Sequence, residues 1–452
     1  MKGRIFMLLL LTPLLAVAQE GTIDNSFNNN SGIAGRILKI VNQPDGKLLI
    51  GGEFIKYGSN GRRGIARLNA DGSLDNTFVP ISGVNDDVVD ILLQLDGKIV
   101  IVGQFDSLND EPQKHIARLN SDGSEDTLFN QTAFANSLIS KVIVQNEDKL
   151  LIFGAFDSIN NQPYRGVARL NSDGSIDPSF VVGSGASDEI RSAVLQNDGK
   201  IIIVGDFTSY DGVTANRIAR LHPNGGIDDT FDVELGANRI ITEVCVQPDG
   251  KLIIAGEFDS INNRKITCIG RLNSDGSIDE IFHSGGHKTG YVRTVSLQQD
   301  GKIIIGGIFS KYDEIEVRRI ARLDQNGNFD NEFYLGQGPD AAVLSSLILP
   351  DKQILVSGNF KFYDGIKVNY IVQLNGYALP ESGIKTFPNP TSSTITIETE
   401  DEIVSVQIYN SIEILVQTET TNNFSVASLP SGVYNMYVHT TSGVIFDQFV
   451  KI

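Results

Sequence analysis

The chain has 452 residues, 41% hydrophobic and 20% charged, an ordinary globular composition with room for two or three domains. Its net charge is −18 and its pI is near 4.7, with no Lys/Arg stripe to offset that acidity. This argues against nucleic acid as a partner, and the only long apolar run lies at the N-terminus.

That run has the order of an export signal. Lys2 and Arg4 make a basic start, residues 5–15 are mostly apolar but too short to span a bilayer, and Ala16-Val17-Ala18 are small. Cleavage is expected between Ala18 and Gln19, leaving no membrane span in the mature chain. No Cys follows the site, so a lipid anchor through an N-terminal Cys is not expected.

A repeat occupies the next stretch. Phe54, Phe105, Phe156, Phe207, Phe258, Phe309 and Phe360 are each 51 residues apart, and so are Phe27, Phe78, Phe129, Phe180, Phe231, Phe282 and Phe333. Arg67, Arg118, Arg169, Arg220, Arg271 and Arg322 keep the same step, with Gln373 in the seventh place. Each copy reads as four short strands between Gly/Asp/Asn turns, in the first copy residues 36–42, 47–54, 64–69 and 74–79. The second of these is a nearly continuous apolar run, plainest at Lys200-Ile201-Ile202-Ile203-Val204, and no segment carries a helical period.

The turn between the third and fourth strands fixes a register. A three-residue loop at Ala70-Asp71-Gly72, with Gly in the left-handed conformation, sets Leu68 against Leu74 and Arg67 against Asp75 on the other face. The same geometry pairs Arg118/Asp126, Arg169/Asp177, Arg220/Asp228, Arg271/Asp279 and Arg322/Asp330. Opposite charges facing across strands stabilise by roughly 0.2–1 kcal/mol, so these residues read as sheet chemistry rather than as a site.

The ends of the repeat suggest how it closes. The seventh copy stops at Leu374-Asn375-Gly376, after its third strand, and the missing quarter stands at the other end of the chain as residues 21–27. Residues 20–376 number 357, seven times 51, and Gln373 falls opposite Asp24. The expected fold is therefore all-β: a seven-bladed β-propeller of four-stranded blades, its last blade completed by the N-terminal strand. An open solenoid would have no reason to divide one unit between its ends and would need distinct caps.

The repeat also resembles a known family. Gln196-Asn197-Asp198-Gly199-Lys200 leading through Phe207, with Val167-Ala168-Arg169-Leu170-Asn171 and Asp173-Gly174-Ser175-Ile176-Asp177-Pro178-Ser179-Phe180, is similar to the delta-60 repeat. The resemblance covers residues 20–376 and implies a β-propeller in an exported setting. It carries no activity or functional residues to transfer.

Residues 377–383 read as a linker. The remainder, 384–452, lacks the 51-residue period, is rich in Thr, Ser and Val, and alternates over 393–398, 404–409 and 434–439, which suits a small β-sandwich. Phe387-Pro388-Asn389-Pro390, then Val406-Gln407-Ile408-Tyr409-Asn410, Leu429-Pro430-Ser431-Gly432-Val433-Tyr434 and the closing Phe449-Val450-Lys451-Ile452 resemble the type A C-terminal sorting domain of the type IX secretion system. Glu413 stands where that family usually has Gly. The resemblance implies the type IX machinery as a partner and outer-membrane passage, ending free or on the cell surface.

Candidate sites are few. The two cysteines, Cys245 and Cys268, fall on the first and third strands of one blade, beyond disulfide reach, and are expected as separate buried thiols. The Asp122-Gly123-Ser124, Asp173-Gly174-Ser175 and Asp275-Gly276-Ser277 turns superficially suggest calcium loops, but Arg118 and Leu119 occupy early ligand places, and a plain turn is expected. The sialidase Asp box is rejected, since Asp and Gly are adjacent here and the chain has no Trp. His283 and His287 are spaced like helical metal ligands, yet Gly285-Gly286 between them argues for a loop. Tyr57, Tyr210, Tyr312 and Tyr363 share a repeat position with Leu108, Ile159 and Ile261, as packing residues would.

No catalytic, cofactor or metal residues are expected. The leading expectation is an exported binding or interaction scaffold for a protein or glycan. The alternatives are an extracellular hydrolase or lyase on the same frame, or a passive surface-layer component. Binding is expected on the face holding residues 55–63, 106–114 and 157–165 and residues 80–87, 181–189 and 283–291, where loops differ between copies.

Overall fold

The computed structural model describes residues 19–28, 32–145, 148–285, 290–334, 336–376, 385–389, 391–399, 402–410, 415–440 and 443–451. The export segment 1–18, the linker, His287 and Glu413 lie outside the described residues.

Residues 33–376 form seven repeated antiparallel units, numbered here 1 to 7 from residue 33 in steps of 51. Unit 4 shows the plan. Its first strand, Ile190–Leu195, pairs with the second, Ile201–Gly205, which pairs with the third, Ile218–Leu221. The second strand is buried along its whole length. A strand covered on both faces cannot alternate apolar and polar residues, which explains the unbroken Ile-Ile-Ile-Val run.

The fourth strand is present but reduced. It touches the third at a single bridge in each of units 1 to 6: Leu68 with Leu74, Leu119 with Glu125, Leu170 with Ile176, Leu221 with Ile227, Leu272 with Ile278 and Leu323 with Phe329. The expected strand over 74–79 stops early because Asp75 bends the chain. Its Oδ1 accepts from the Thr77 amide at 2.9 Å and hydroxyl at 2.6 Å, and the Phe78 amide donates to the Asp75 carbonyl. In unit 2 the same place becomes one helical turn, Thr127–Asn130. The link between second and third strands is also more ordered than a loop. It folds back as a two-residue hairpin, Ser209–Tyr210 against Val213–Thr214 in unit 4.

Every first strand carries a bulge opposite the second. Gly205 faces it, and a Cβ there would lie 2.2 Å from the Glu189 carbonyl oxygen. That contact explains why Gly52, Gly103, Gly154, Gly205, Gly256, Gly307 and Gly358 repeat without exception.

Core layers lie between units rather than within them. Leu151 and Phe153 of unit 3 pack with Ile201 and Ile203 of unit 4, and units 1/2, 2/3, 4/5, 5/6 and 6/7 share layers likewise. Ile37 and Ile50 of unit 1 pack with Leu355 and Ile371 of unit 7. Amides just beyond the fourth strands donate to turn carbonyls of the following unit: Val79 to Asp122, Val181 to Asn224, Asp232 to Asp275 and His283 to Asn326. Tyr334 of unit 6 donates to Glu20, and Asn28 to Asp71 of unit 1. The segments 80–87, 181–189 and 283–291 therefore start at a turn of the next unit and do not lie wholly on the hairpin face.

The N-terminal segment meets unit 7. Ile23 bridges Leu374, with hydrogen bonds from Gly21 to Asn375, Asp24 to Gln373 and Asn375 to Thr22. Beyond the linker, Lys385–Phe387, Thr394–Glu398 and Asn423–Ser425 form one sheet. Leu415–Glu419, Ile403–Asn410, Gly432–Thr440 and Gly443–Lys451 form another. The two share a core of Ile395, Ile397, Val406, Ile408, Phe424, Met436, Val438 and Phe449, the two-layer arrangement of a sandwich.

Candidate functional site

The periodic Arg and Asp form the ion pairs that the register requires. Arg67, Arg118, Arg169, Arg220, Arg271 and Arg322 donate through Nε to Asp75, Asp126, Asp177, Asp228, Asp279 and Asp330 at 2.6–2.8 Å. Each guanidinium also lies over the ring of Phe78, Phe129, Phe180, Phe231, Phe282 or Phe333. Five reach a turn carbonyl of the next unit, namely Ser121, Ser172, Pro223, Ser274 and Gln325, while Arg322 meets Glu20.

A second cation completes each cluster. Lys47, Lys98, Lys149, Lys200, Lys251 and Lys302 bind the same carboxylates at 2.8–3.0 Å. The 51-residue spacing of these lysines was the available signal for them, and unit 7 replaces both cations by Gln353 and Gln373. Burial alone would raise the carboxyls of Asp75, Asp177 and Asp228. Hydrogen bonds from Thr77, Lys149 and Lys200 among others outweigh it and hold all three well below the usual carboxylate range. These clusters join units.

One set of positions that break the repeat lies on the first strands, which touch one another from unit to unit and again between units 7 and 1. One column reads Lys39, Asp90, Lys141, Ser192, Glu243, Thr294, Ser345. Asp90 is buried and takes Lys39 at 3.1 Å, Lys141 at 3.6 Å and the Val142 amide at 3.1 Å. The Ser192 hydroxyl donates to Glu243 at 2.9 Å. Asp90, and then Glu243, push the Lys39 ammonium up against the effect of its burial. Two cations and two carboxylates make the layer neutral.

Nearer the hairpin face, charges again pair locally. Arg36 meets Glu53 at 2.6 Å and Asp87 at 3.3 Å. Arg191 holds Asp206 through two nitrogens at 2.5 and 2.9 Å and Glu189 at 3.2 Å, and Ser140 donates to Glu189 at 2.6 Å. Arg217 donates to the Asp206 carbonyl beside a shallow cleft lined by Asn216, Leu235, Asn238, Ser260 and Asn263.

A further column escaped the sequence reading. Gly64, His115, Gly166, Arg217, Cys268, Arg319 and Tyr370, each just before a third strand, have φ between +63° and +76°. Gly fits there without strain, so the five side chains occupy it at a cost. His115 contacts the Gly103 carbonyl of its own unit at 3.1 Å, whereas Arg319 donates to Pro339 of unit 7 at 2.8 Å and so reaches over a seam. The alternation of Gly with unlike residues in one column was the signal.

The other candidates resolve individually. Asp122, Asp173 and Asp275 each accept from the amide and hydroxyl of the Ser two residues on, at 2.6–3.0 Å. Among the described residues no group of three or more His, Cys, Asp or Glu could hold a metal. His283 pairs with Asp313 at 2.9 Å. Tyr57, Tyr210, Tyr312 and Tyr363 are buried like Leu108, Ile159 and Ile261, and the Tyr210 hydroxyl donates to Gly225 at 2.9 Å. Cys245 and Cys268 are free thiols. Cys245 is only part-buried, and Cys268 precedes the third strand rather than lying on it. Burial, with Asp259 and Glu257 nearby, pushes the Cys268 thiol up to about 12.

Two families match this chain. One, described as a domain of unknown function (DUF5122) beta-propeller, matches residues 43–78, 94–129, 145–180, 196–231, 247–282, 298–333 and 349–376. The chain belongs to this β-propeller family. The second, the secretion system C-terminal sorting domain, matches residues 385–452. The protein is thus an exported β-propeller carrying a type IX sorting tail, destined for secretion or the cell surface. No described helix is long and apolar enough to cross a membrane.

No curated protein matches the chain. Among solved structures, the extracellular domain of BT4673 from B. thetaiotaomicron is similar at 11% identity and TM-score 0.48, covering 96% of this chain and 59% of that one. PorZ, a surface component of the type-IX secretion system of Porphyromonas gingivalis, is similar at 13% identity and TM-score 0.34, covering 92% and 66%. YCF48 from Cyanidioschyzon merolae is similar at 12% identity and TM-score 0.37, covering 79% and 98%. The chain spans about 59% of the length of the first of these.

Proposed function

We propose that the seven units close into one ring, with residues 19–28 completing unit 7, and that the exported ring is a binding scaffold without catalytic chemistry of its own. Export would begin with cleavage between Ala18 and Gln19, and residues 377–383 would link ring and tail. Four features support closure: the Ile23–Leu374 bridge, the core shared by units 7 and 1, the Tyr334–Glu20 hydrogen bond, and Gly21 beneath the Phe333 ring.

The observation that carries the binding reading is where the copies differ. The Arg, Asp, Lys and Gly columns repeat because they hold units together, whereas the column of Arg36, Asp87, Leu138, Glu189, Ile240, Tyr291 and Ala342 changes chemistry at every unit. Variable side chains on a rigid frame suit recognition. The ligand would be a protein or glycan docking where the first strands meet the hairpin face. Glycan and protein arrays probed with the mature chain test this, followed by replacing hairpins one at a time with a neighbouring copy. Binding that survives every hairpin exchange but is lost on changing the Asp-Gly turns would place the site on the opposite face.

One observation favours the enzymatic alternative. Asp87 and Glu53 both face Arg36 beside the hairpin face, a pair of carboxylates of the kind acid–base chemistry uses, and burial pushes the Asp87 carboxyl up despite Arg36. Hydrolysis of any substrate in a glycosidase, peptidase and lyase panel that is abolished by Asp87→Asn would replace the scaffold reading.

A further inference from the structure

The hairpins of units 7 and 1 differ from the other five. Residues 55–63 hold Lys56, Arg62 and Arg63 with no acid, and residues 361–369 hold Lys361 and Lys367 against Asp364. Lys56, Lys361 and Lys367 are exposed, as is Arg63, which pairs with Asp110 of unit 2 at 3.3 Å. Three apolar side chains stand among them, Ile55 67%, Phe362 42% and Ile366 53% exposed. At the place of Phe362 units 2 to 5 have Ser107, Ser158, Ser209 and Ser260, and at the place of Ile55 units 2, 3 and 5 have Asp106, Asp157 and Asp259. Among the other hairpins unit 5 has two cations, Arg264 and Lys265, against Asp259 without an exposed large apolar side chain, and units 4 and 6 expose Val213 and Ile315 at the place of Ile366 but hold more acids than cations, so only units 7 and 1 combine excess cations with exposed apolar side chains. The two hairpins are neighbours, since Tyr57 of one and Ile371 of the other unit share a core layer.

We infer that this sector is a docking patch for an anionic lipid surface, engaged peripherally. Its cations complement the headgroups, and Phe362, Ile366 and Ile55 supply the apolar contact that headgroup charge alone would not call for. A soluble polyanion would account for the cations and leave the apolar residues unexplained. The chain's overall charge of −18 does not prevent approach, because charge repulsion is screened out over ~8 Å at physiological ionic strength and the patch meets the surface first. The inference uses the ring only to make units 7 and 1 neighbours, and is separate from any ligand at the first strands.

Co-sedimentation of the chain from Gln19 to Ile452 with vesicles tests it. Phosphatidylcholine mixed with phosphatidylglycerol should bind the protein, phosphatidylcholine alone should not, and added salt should release it. Each of Lys56→Gln, Lys361→Gln and Lys367→Gln should lower partition about fivefold, and Phe362→Ser with Ile366→Ser should lower it further, all with unchanged unfolding midpoints. Arg264→Gln with Lys265→Gln, the equivalent cations of unit 5, should leave partition unchanged. No binding to the mixed vesicles, equal binding to neutral vesicles, or equal loss in the unit 5 variant overturns the inference. So does full retention by the Phe362/Ile366 variant together with tight binding to soluble alginate, which would indicate an anionic polysaccharide instead.

Discussion

Asp228→Asn tests the account of how units are joined. One carboxylate oxygen takes Arg220 at 2.6 Å and Lys200 at 2.8 Å, and the other takes the Thr230 amide at 3.1 Å and hydroxyl at 2.6 Å. The Asp228 side chain is 0% exposed and Arg220 8%. Asparagine keeps the shape but leaves a buried guanidinium without its counter-charge, which costs about 3–5 kcal/mol. Unfolding entropy near 2.1 cal/mol/K per residue over the 357 residues 20–376 converts that to a fall in Tm of about 4–7 °C. Unit 7 supplies the comparison, since Asp24 there meets the neutral Gln373 at 2.9 Å. Asp24→Asn should cost about 1 kcal/mol. Differential scanning calorimetry of the two variants gives the answer, and a fall for Asp228→Asn no larger than that for Asp24→Asn would mean that the buried ion pair does not hold the units together.

Three further outcomes are expected. Because the folded carboxyls of Asp75, Asp177 and Asp228 are held below their unfolded values, their contribution is complete above about pH 4 and is lost as pH falls through the folded range. The midpoint should therefore stay level in this respect from neutral pH to about pH 4 and drop beneath it, and replacing the three Asp by Asn should flatten the acid limb. Gly21→Ala and Gly225→Ala should destabilise alike, because both have positive φ and a Cβ at Gly21 would lie 2.6 Å from the Tyr334 carbonyl oxygen, against 2.8 Å from that of Val181 at Gly225. A mild effect at Gly21 alone, read by thermal unfolding, would mean that the N-terminal segment is not seated as a unit turn. Removal of residues 384–452 should leave the propeller folded but held inside the envelope, and surface display of the truncated chain, read by protease accessibility on whole cells, would contradict the role of the tail.

The parts of the fold legible in the sequence are those that a 51-residue step samples directly. The Phe columns, the Arg–Asp register and the facing of Asp24 and Gln373 needed only counting and a turn type. The shortened fourth strand was not legible, because its end is set by the Asp75 side chain turning onto Thr77 rather than by a change in hydrophobic pattern. The hairpins between second and third strands were hidden because each strand is two residues long, too short to alternate. The first-strand layer was hidden for another reason. The bulge shifts the alternation within each first strand, and Lys39, Asp90 and Lys141 gain meaning only when three units stand side by side.

The proposed closure rests on the N-terminal segment completing unit 7. Ile23 and Leu374 oppose each other between two backbone hydrogen bonds, Asp24 to Gln373 and Asn375 to Thr22, the cross-strand arrangement in which Cα atoms are roughly 4.5 Å apart. That spacing is within disulfide reach. Ile23→Cys with Leu374→Cys, produced in an oxidising compartment and run without reductant, should give a monomeric, faster-migrating species whose linked peptides appear on mass spectrometry. Two free thiols at these positions, or linkage only between molecules, would contradict closure.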